Sequence, residues 1–211
     1  LEDLGAGFTL ATHDLEIRGA GELLGESQTG NMTAIGFGLY MDMLDRAVNA
    51  FQAGKQINFD EPMEDSTEIK LHLPALIPDD YLPDVHMRLV LYKRIASAKD
   101  EASLSSLQVE MIDRFGLLPE PVKNLFRVTE LKLKAEHLGI SRVDLGPRGG
   151  KIEFLQTTRV PAEIVIELVQ KQSQRYRFAS ANQLAIVATI EDREKRFKHI
   201  EDLLEQFMQA A

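Results

Sequence analysis

Three carboxylates and an imidazole stand close together in one short segment, as Asp79, Asp80, Asp84 and His86. Hard oxygen ligands of this kind are able to hold a divalent metal ion, and such a site would make the chain a metal-dependent hydrolase. Aspartate is also favoured at helix starts, where its side chain caps backbone N–H groups and interacts well with the helix dipole. The positions fit expected helix starts, so we favour the capping interpretation.

Motifs for other catalytic chemistry are missing from the sequence. Gly21 and Gly25 are followed by Glu26 and Ser27, without the lysine and spacing of a G-x-x-x-x-G-K-[ST] phosphate loop. The five histidines form no H-x-x-x-H pair, and the chain has no cysteine for a thiolate metal site or a disulfide. We therefore expect no catalytic residue, no metal and no cofactor in this chain.

Charged residues at helical spacing form a third candidate site. Glu110, Asp113 and Arg114 share one face of a helix predicted from about Ser103, whose apolar stripe includes Leu107, Met111 and Phe115. One interpretation is an intrahelical Glu110–Arg114 pair, which contributes about 0.2–0.5 kcal/mol. The alternative is a charged ridge that docks on a basic partner. Spacing alone favours the simple ion pair.

Two further segments carry basic residues. The predicted third helix has a basic set against Glu130 and Glu136, and a glycine-rich run over 7–36 has a single arginine, Arg18, among carboxylates. The basic set consists of Lys123, Arg127, Lys132 and Lys134. It lacks the interleaved aromatic residues of a base-stacking surface, so a solvated helix face is the favoured interpretation. Arg18 either pairs with Asp14 or Glu22, or contacts phosphate and relays movement from a neighbouring motor.

The overall composition limits the class of protein. The chain has 211 residues, 44% of them hydrophobic, and a formal net charge of −9. Such a charge argues against a free-standing nucleic-acid binder, so any DNA contact must be local. No apolar run is long enough for a membrane span, and the first residues do not resemble a signal peptide. We expect a cytoplasmic protein with no membrane partner.

Hydrophobic periodicity divides the chain into three parts. Residues 1–54 are loop-rich with one amphipathic helix, Phe37–Phe51; residues 55–67 form an acidic, flexible linker; residues 68–211 form a second domain. That domain begins with a strand-like alternation at 69–73 and continues with three helices, at about 84–98, 103–115 and 119–139. Two ββα units follow, and a capping box at Thr189–Asp192 is predicted to open the last helix. The predicted class is α+β with a small antiparallel sheet.

Two sets of motifs resemble one family. Residues 7–30, G-F-T-L-A-T-H-D-L-E-I-R-G-A-G-E-L-L-G-E-S-Q-T-G, are similar to the end of the TRG motif, named for translocation in RecG, which RecG shares with the bacterial transcription-repair coupling factors, the Mfd proteins. The segments I-P-D-D-Y-L-P-D-V (77–85), L-Y-K-R-I-A (91–96) and I-D-R-F-G-L-L-P (112–119) resemble the C-terminal domain of Mfd, which RecG lacks. The likeness covers nearly the whole chain and is weakest after Gly139.

The resemblance implies a function for the whole protein. Mfd is an ATP- and magnesium-dependent translocase on double-stranded DNA that displaces stalled RNA polymerase and recruits the excision-repair protein UvrA. Its C-terminal domain contacts the N-terminal UvrB-like module and masks the UvrA-binding surface until the motor engages. Both nucleotide-binding domains are absent here, so the fragment is expected neither to hydrolyse ATP nor to translocate. The amphipathic helix at 37–51 would then expose an apolar face or find a substitute partner.

The resemblance also assigns roles to residues. Glu110 and Asp113 match the E-x-x-D that faces the UvrB-like module. A second set matches the loop that couples ATP-driven movement to DNA: Arg18, Gly19, Gly21, Glu22, Gly25 and Gln28. The alternatives are a hydrolase built on Asp79–His86 and a stand-alone acidic protein-interaction adaptor without a role in repair.

Overall fold

Residues 67–211 are described by a computed structural model of the chain. Within them lie five strands and five helices. The strands are β1 (Glu68–Lys70), β2 (Ile140–Gly146), β3 (Gly149–Phe154), β4 (Tyr176–Ser180) and β5 (Gln183–Ile186). The helices are α1 (Val85–Ala96), α2 (Glu101–Phe115), α3 (Glu120–Leu138), α4 (Ala162–Lys171) and α5 (Arg193–Ala210). The α+β class and the order of three helices followed by two ββα units are confirmed.

All five strands form one sheet in the order β1-β2-β3-β5-β4. The four strands of the ββα units pair antiparallel, as predicted. β1 adds a strand at the edge and runs parallel to β2, with Ile69 opposite Val143. A parallel pair requires a crossover between its strands, and here helices α1, α2 and α3 provide it. The sheet is therefore mixed, because β1 joins it from a distant part of the sequence.

Close backbone contact explains the two glycines that start β3. Gly149 has a φ of 115° and lies against the carbonyl oxygen of Ile186 in β5, so any Cβ there would overlap backbone. A Cβ on Gly150 would overlap the carbonyl oxygen of Asp144 in β2. These two glycines therefore let three strands meet closely at this end of the sheet.

Helix α3 connects two sets of buried side chains. Its C-terminal half carries Leu131, Ala135 and Leu138 into the core cluster that packs on the sheet with α4 and α5. Its N-terminal half buries Phe126 in the helical layer, together with residues of α1, α2 and α3 itself: Leu91, Ile95, Leu104, Leu107, Met111, Val122 and Leu125. The helix is thus shared between the sheet layer and the helical layer.

Aspartates start three of the helices. Asp84, Asp100 and Asp192 each accept a hydrogen bond from a backbone N–H three residues later, at 2.9, 2.7 and 2.8 Å. This geometry satisfies one of the N–H groups that a helix start leaves without an intrahelical acceptor. The capping interpretation of Asp84 is therefore confirmed, and Asp79 accepts the N–H of Asp80 in a local turn.

The last helix begins later than the predicted capping box allowed. The N–H of Ile190 donates to the carbonyl of Pro147 in the β2–β3 turn, and the carbonyls of Ile190 and Glu191 accept from Arg196. The prediction of a capping box at 189–192 is therefore wrong. Residues 189–191 precede α5 and are bonded to the β2–β3 hairpin through Ile190, and Asp192 is the N-cap of α5.

The side chain of Arg196 is buried, with 2% exposed. Nη1 donates to the carbonyls of Ile190 and Glu191 at 2.8 and 2.7 Å, and Nε donates to the carbonyl of Leu71 at 3.3 Å. Leu71 follows β1, so one guanidinium joins the start of the domain to its last helix. Thr67 adds a second link, since its buried hydroxyl donates to the carbonyl of Ile140 at 2.7 Å.

Several predictions fall outside the described part of the chain. The TRG-like loop, the helix at 37–51 and the linker up to residue 66 lie there, so the division at 54 and 67 stays a prediction. Among residues 67–211, no helix is both long and apolar enough to cross a membrane.

Candidate protein-interaction site

Glu110 lies at the centre of an ion-pair network that joins α1 to α2. Arg94, in the last turn of α1, donates through Nη1 and Nη2 to the two carboxylate oxygens at 2.7 and 2.5 Å. Arg114, one turn along α2, donates to Oε1 at 2.9 Å. The predicted Glu110–Arg114 pair is confirmed, and the bidentate contact with Arg94 crosslinks the two helices.

The two arginines fix the charge of Glu110. Hydrogen bonds from Arg94, and then from Arg114, lower the pKa of its carboxyl from the usual 4.5 to about 2. Glu110 therefore stays ionised at any pH near neutrality. Three of its roughly four acceptor sites are occupied, so its main local effect is to orient two guanidinium groups.

Asp113 differs from Glu110 although both lie on the same face of α2. Its side chain is exposed, and within residues 67–211 it makes no hydrogen bond or ion pair. Its carboxylate is therefore available to a cation supplied by a partner. Asp113, Arg94, Glu110 and Arg114 together form a surface of two positive and two negative charges. Of these four side chains, Asp113 is the one that makes no ion pair with residues 67–211.

Three exposed apolar side chains lie close to Asp113 in the sequence. Ile112 is 39% exposed, Val109 on the preceding turn is 58% exposed, and Leu117 beyond the helix end is 86% exposed. Single exposed apolar residues are ordinary on protein surfaces, but a group of them beside an unpaired carboxylate resembles the centre and rim of a binding patch. We call Val109, Ile112, Asp113 and Leu117 the α2 patch.

The end of α2 is held in place by its own local contacts. Gly116 adopts a φ of 89°, which ends the helix at Phe115, and its carbonyl accepts from the Tyr81 hydroxyl at 3.1 Å. The Tyr81 ring packs edge-on against Phe115 with centroids 6.5 Å apart, and Arg114 lies over the Phe115 ring at 4.9 Å. These contacts fix the direction of the chain from which Leu117 projects.

The basic set of the third helix is neutralised by acidic neighbours. Each member pairs with a glutamate, and Arg127 also lies 3.8 Å above the ring of Phe197. The pairs are Lys123–Glu120, Arg127–Glu194, Lys132–Glu136, Lys134–Glu101 and Lys134–Glu205. These contacts support the solvated, ion-paired helix face over a nucleic-acid contact at α3.

The segment at 79–86 does not assemble into a metal site. Asp84 and Asp79 bond to backbone N–H groups, and within the described residues no group of three or more histidine, aspartate or glutamate side chains is arranged to hold a metal ion. The hydrolase hypothesis therefore has no support from this geometry.

A concave surface lies where the residue before β4 and the segment that follows β5 meet α5, next to the β2–β3 turn. This cleft encloses about 450 Å³ and is lined by Arg175, Ala188, Ile190, Glu191, Lys195 and His199, among others. The His199 ring stacks on Tyr176 with centroids 5.9 Å apart, and its Nε2 lies 3.0 Å from the Tyr176 hydroxyl. We call it the sheet-end cleft.

Protonation of His199 is expected to destabilise the domain. Burial, and then the positive charge of Arg175, lowers the pKa of the imidazole below its usual 6.5. Below pH 6.5 the His199 imidazole is therefore protonated more readily in the unfolded chain than in the folded domain. The free energy of unfolding is not reduced by this effect above pH 6.5, and it decreases as the pH falls below that value. In urea titrations at pH 7 and pH 5.5, His199→Gln should show a smaller acid-induced loss of unfolding free energy than the parent chain. Equal losses would contradict this assignment.

Sequence reasoning missed three features of these sites. Arg94 and Glu110 lie on different helices, so no spacing within one helix reveals their pairing. The exposure of Leu117 depends on the turn at Gly116, and the sheet-end cleft combines Arg175, the segment 188–192 and the helix α5. A short connection between α1 and α2 was the one available signal, because it makes the helices antiparallel neighbours. The predicted translocation-loop residues Arg18, Gly19, Gly21, Glu22, Gly25 and Gln28 lie outside the described residues.

Comparison with known proteins defines the class of the domain. The model of the TRCF domain family matches residues 71–165. The fold is similar to a solved structure described as the C-terminal domain of transcription-repair coupling factor, with a TM-score of 0.56 and 23% identity over 69% of this chain and 96% of that one. The described residues therefore have the fold of such a C-terminal domain.

Sequence relatives extend the match to the rest of the chain. The transcription-repair-coupling factor of Escherichia coli is 46% identical over 100% of the chain, and that of Haemophilus influenzae is 50% identical over 97%. The factor of Myxococcus xanthus is 39% identical over 83% of the chain. The chain belongs to the transcription-repair coupling factor family, as its motifs predicted. It spans 18% of the length of the first two relatives.

Proposed function

We propose that this chain is part of an ATP-dependent DNA translocase that couples transcription to nucleotide-excision repair. In this proposal residues 68–211 are a regulatory domain that binds the N-terminal UvrB-like module of the same protein. The contact masks recruitment of UvrA until RNA polymerase is engaged. Membership of the transcription-repair coupling factor family supports the proposal. ATP, magnesium and double-stranded DNA are ligands of the whole cytoplasmic protein, and catalysis lies outside this chain.

The observation that carries the regulatory part is the α2 patch. Asp113 offers a carboxylate without a partner in residues 67–211, and exposed apolar side chains flank it. A basic residue of the module would pair with Asp113, while apolar contacts with Ile112 and Leu117 exclude water around the pair. Glu110 acts by holding Arg94 and Arg114 away from Asp113, because both guanidinium groups bond to its own carboxylate.

The translocation loop belongs to the same proposal. Arg18, Gly19, Gly21, Glu22, Gly25 and Gln28 would couple movements of the nucleotide-binding domains to DNA. Its support is the sequence match to the TRG motif and the extent of the relatives' alignments, which reach across this region.

Binding of the purified UvrB-like module, measured by titration calorimetry, tests the regulatory part. Glu110→Ala/Asp113→Ala should weaken binding at least about tenfold, because losing a charge-assisted hydrogen bond costs about 1.5–3 kcal/mol. Asp113→Asn alone should account for much of the loss. The matched control is Glu163→Ala/Asp202→Ala, which removes two exposed carboxylates from α4 and α5 and should leave affinity unchanged.

The outcomes separate the alternatives. Equal affinity of the parent chain and the Glu110/Asp113 variant would place the contact elsewhere on the domain. If the parent chain shows no binding, the comparison is repeated with module and chain joined by a flexible linker, which raises the effective concentration to about the millimolar range. A linked pair that stays undocked would refute the masking contact and favour an adaptor without this role.

A further inference from the structure

Cations without an intramolecular partner are concentrated in one part of the domain. Most lysines and arginines of residues 67–211 bond to carboxylates or carbonyls, including the whole basic set of α3. Apart from Lys99, the lysines and arginines whose side chains make no hydrogen bond or ion pair within this range lie between positions 148 and 198: Arg148, Arg175, Arg177, Arg193, Lys195 and Lys198. In a chain of net charge −9 this local excess is unusual.

Three of these cations border the sheet-end cleft. Arg175 and Lys195 line it directly. Arg148 lies in the β2–β3 turn, which is held beside the cleft by the 2.8 Å hydrogen bond from the N–H of Ile190 to the carbonyl of Pro147. The segments come together because the end of β2 and the starts of β3 and β4 lie at the same end of the sheet as the end of β5.

Two carboxylates share the cleft and define its charge balance. Glu191 and Asp192 both line it. Asp192 already accepts the backbone N–H of Lys195 at 2.8 Å as the cap of α5. Glu194, two positions after Asp192, is paired with Arg127 on α3. The cleft is therefore lined by two cations and two carboxylates, one of which is engaged by the helix start, and Arg148 in the neighbouring turn adds a third cation.

We propose that the sheet-end cleft binds a phosphate group of a nucleic-acid strand. The Arg175 guanidinium has the planar donor geometry that suits phosphate, and Lys195 supplies a second positive charge. Ala188 and Ile190 give the cleft an apolar wall against which a sugar or base packs. Its volume of about 450 Å³ is within the range of sites for small ligands.

The adjacent edge strand extends this surface beyond the cleft. β4 is the edge strand opposite β1, and it carries the exposed Arg177 followed in sequence by Phe178, whose side chain is 52% exposed. Because consecutive strand residues point to opposite faces of a sheet, Arg177 offers a cation on one face of β4 and Phe178 offers a ring for base stacking on the other. This surface lies on different elements from the α2 patch, so the assignment is independent of the masking contact.

Fluorescence anisotropy of a labelled single-stranded oligonucleotide of about 16 residues tests the assignment on the full chain. The variant is Arg175→Gln/Lys195→Gln. The control is Lys123→Gln/Lys132→Gln, which makes the same change in net charge at cations already paired on α3. The cleft variant should bind at least about tenfold more weakly, and the slope of log affinity against log salt should fall by about 1.4, that is two contacts at about 0.7 each. Circular dichroism confirms folding of both variants.

The result that supports the proposal is a loss in the cleft variant and none in the control. Equal losses in both variants would show that only net charge matters, and no loss in either would place any nucleic-acid contact elsewhere in the chain; both overturn the assignment. Tripolyphosphate and poly-glutamate serve as competitors. If tripolyphosphate perturbs the His199 NMR signals while the oligonucleotide does not, the site binds small anions. If poly-glutamate displaces the oligonucleotide at equal charge, the site binds acidic peptides. Either result overturns the assignment to nucleic acid.

Discussion

Arg196→Ala is expected to lower the free energy of unfolding by about 3–5 kcal/mol, because a large buried side chain is removed, the buried carbonyl of Leu71 loses its donor, and the less buried carbonyls of Ile190 and Glu191 lose theirs. Arg196 is almost fully buried, and its hydrogen bonds reach Leu71, Ile190 and Glu191. The variant also leaves a cavity between α5 and the segment that follows β1. Urea unfolding followed by circular dichroism should show a lower midpoint with little change in slope.

The matched control for this variant is Arg193→Ala. Arg193 is in the first turn of the same helix, is exposed, and makes no hydrogen bond or ion pair within residues 67–211. Its replacement should change stability by no more than about 0.5 kcal/mol. If the two variants unfold at the same urea concentration, the carbonyls at Arg196 are satisfied without the guanidinium, and its role as a clamp is refuted. Arg196→Met separates packing from hydrogen bonding, since it fills space without donors.

Phe126→Ala is expected to cost about 3–5 kcal/mol, the usual range for removing a buried aromatic ring. Phe126 is fully buried in the helical layer, on the helix whose other half packs under the sheet. Because α3 belongs to both layers, we expect the cavity to weaken them together. Hydrogen exchange of backbone amides should therefore show reduced protection in α2 and in β3 by similar free energies.

The control for the ring removal is Phe178→Ala, at an exposed position of the edge strand. This variant makes the same chemical change where little area is buried, and its effect on global protection should be much smaller. Loss of protection confined to α1 and α2 in the Phe126 variant would show that the helical layer opens independently of the sheet. The α2 patch would then rest on a separate folding unit.

The helices of the domain were predictable because their signals are local. Asp84 and Gly139 bound helices close to their predicted ends, since a cap acts on N–H groups within one turn and an αL glycine ends a helix where it stands. The capping box at Thr189–Asp192 failed for the opposite reason. A distant partner, Pro147, takes the N–H of Ile190, and Asp192 replaces Thr189 as the cap.

Features that join distant segments were less predictable. The parallel pairing of β1 with β2 depends on how three helices pack between them, and a three-residue strand has too short a pattern to indicate its partner. Of the candidate site, the face shared by Glu110 and Asp113 follows from helical spacing. Helical spacing does not predict that Glu110 is bonded to Arg94 while Asp113 has no partner among the described residues. This difference depends on the positions of α1 and α2 in space.

The edge position of β1 has a consequence for the order in which the domain assembles. Thr67 and Glu68 meet their partners on β2 only 73 residues later in the chain, measured between Thr67 and Ile140. During synthesis β1 therefore emerges long before β2, its partner among the described strands, whereas the helices α1, α2 and α3 are close to one another in the sequence. We expect the helical layer to form first on the ribosome, and β1 to pair with β2 only after β2 has been synthesised.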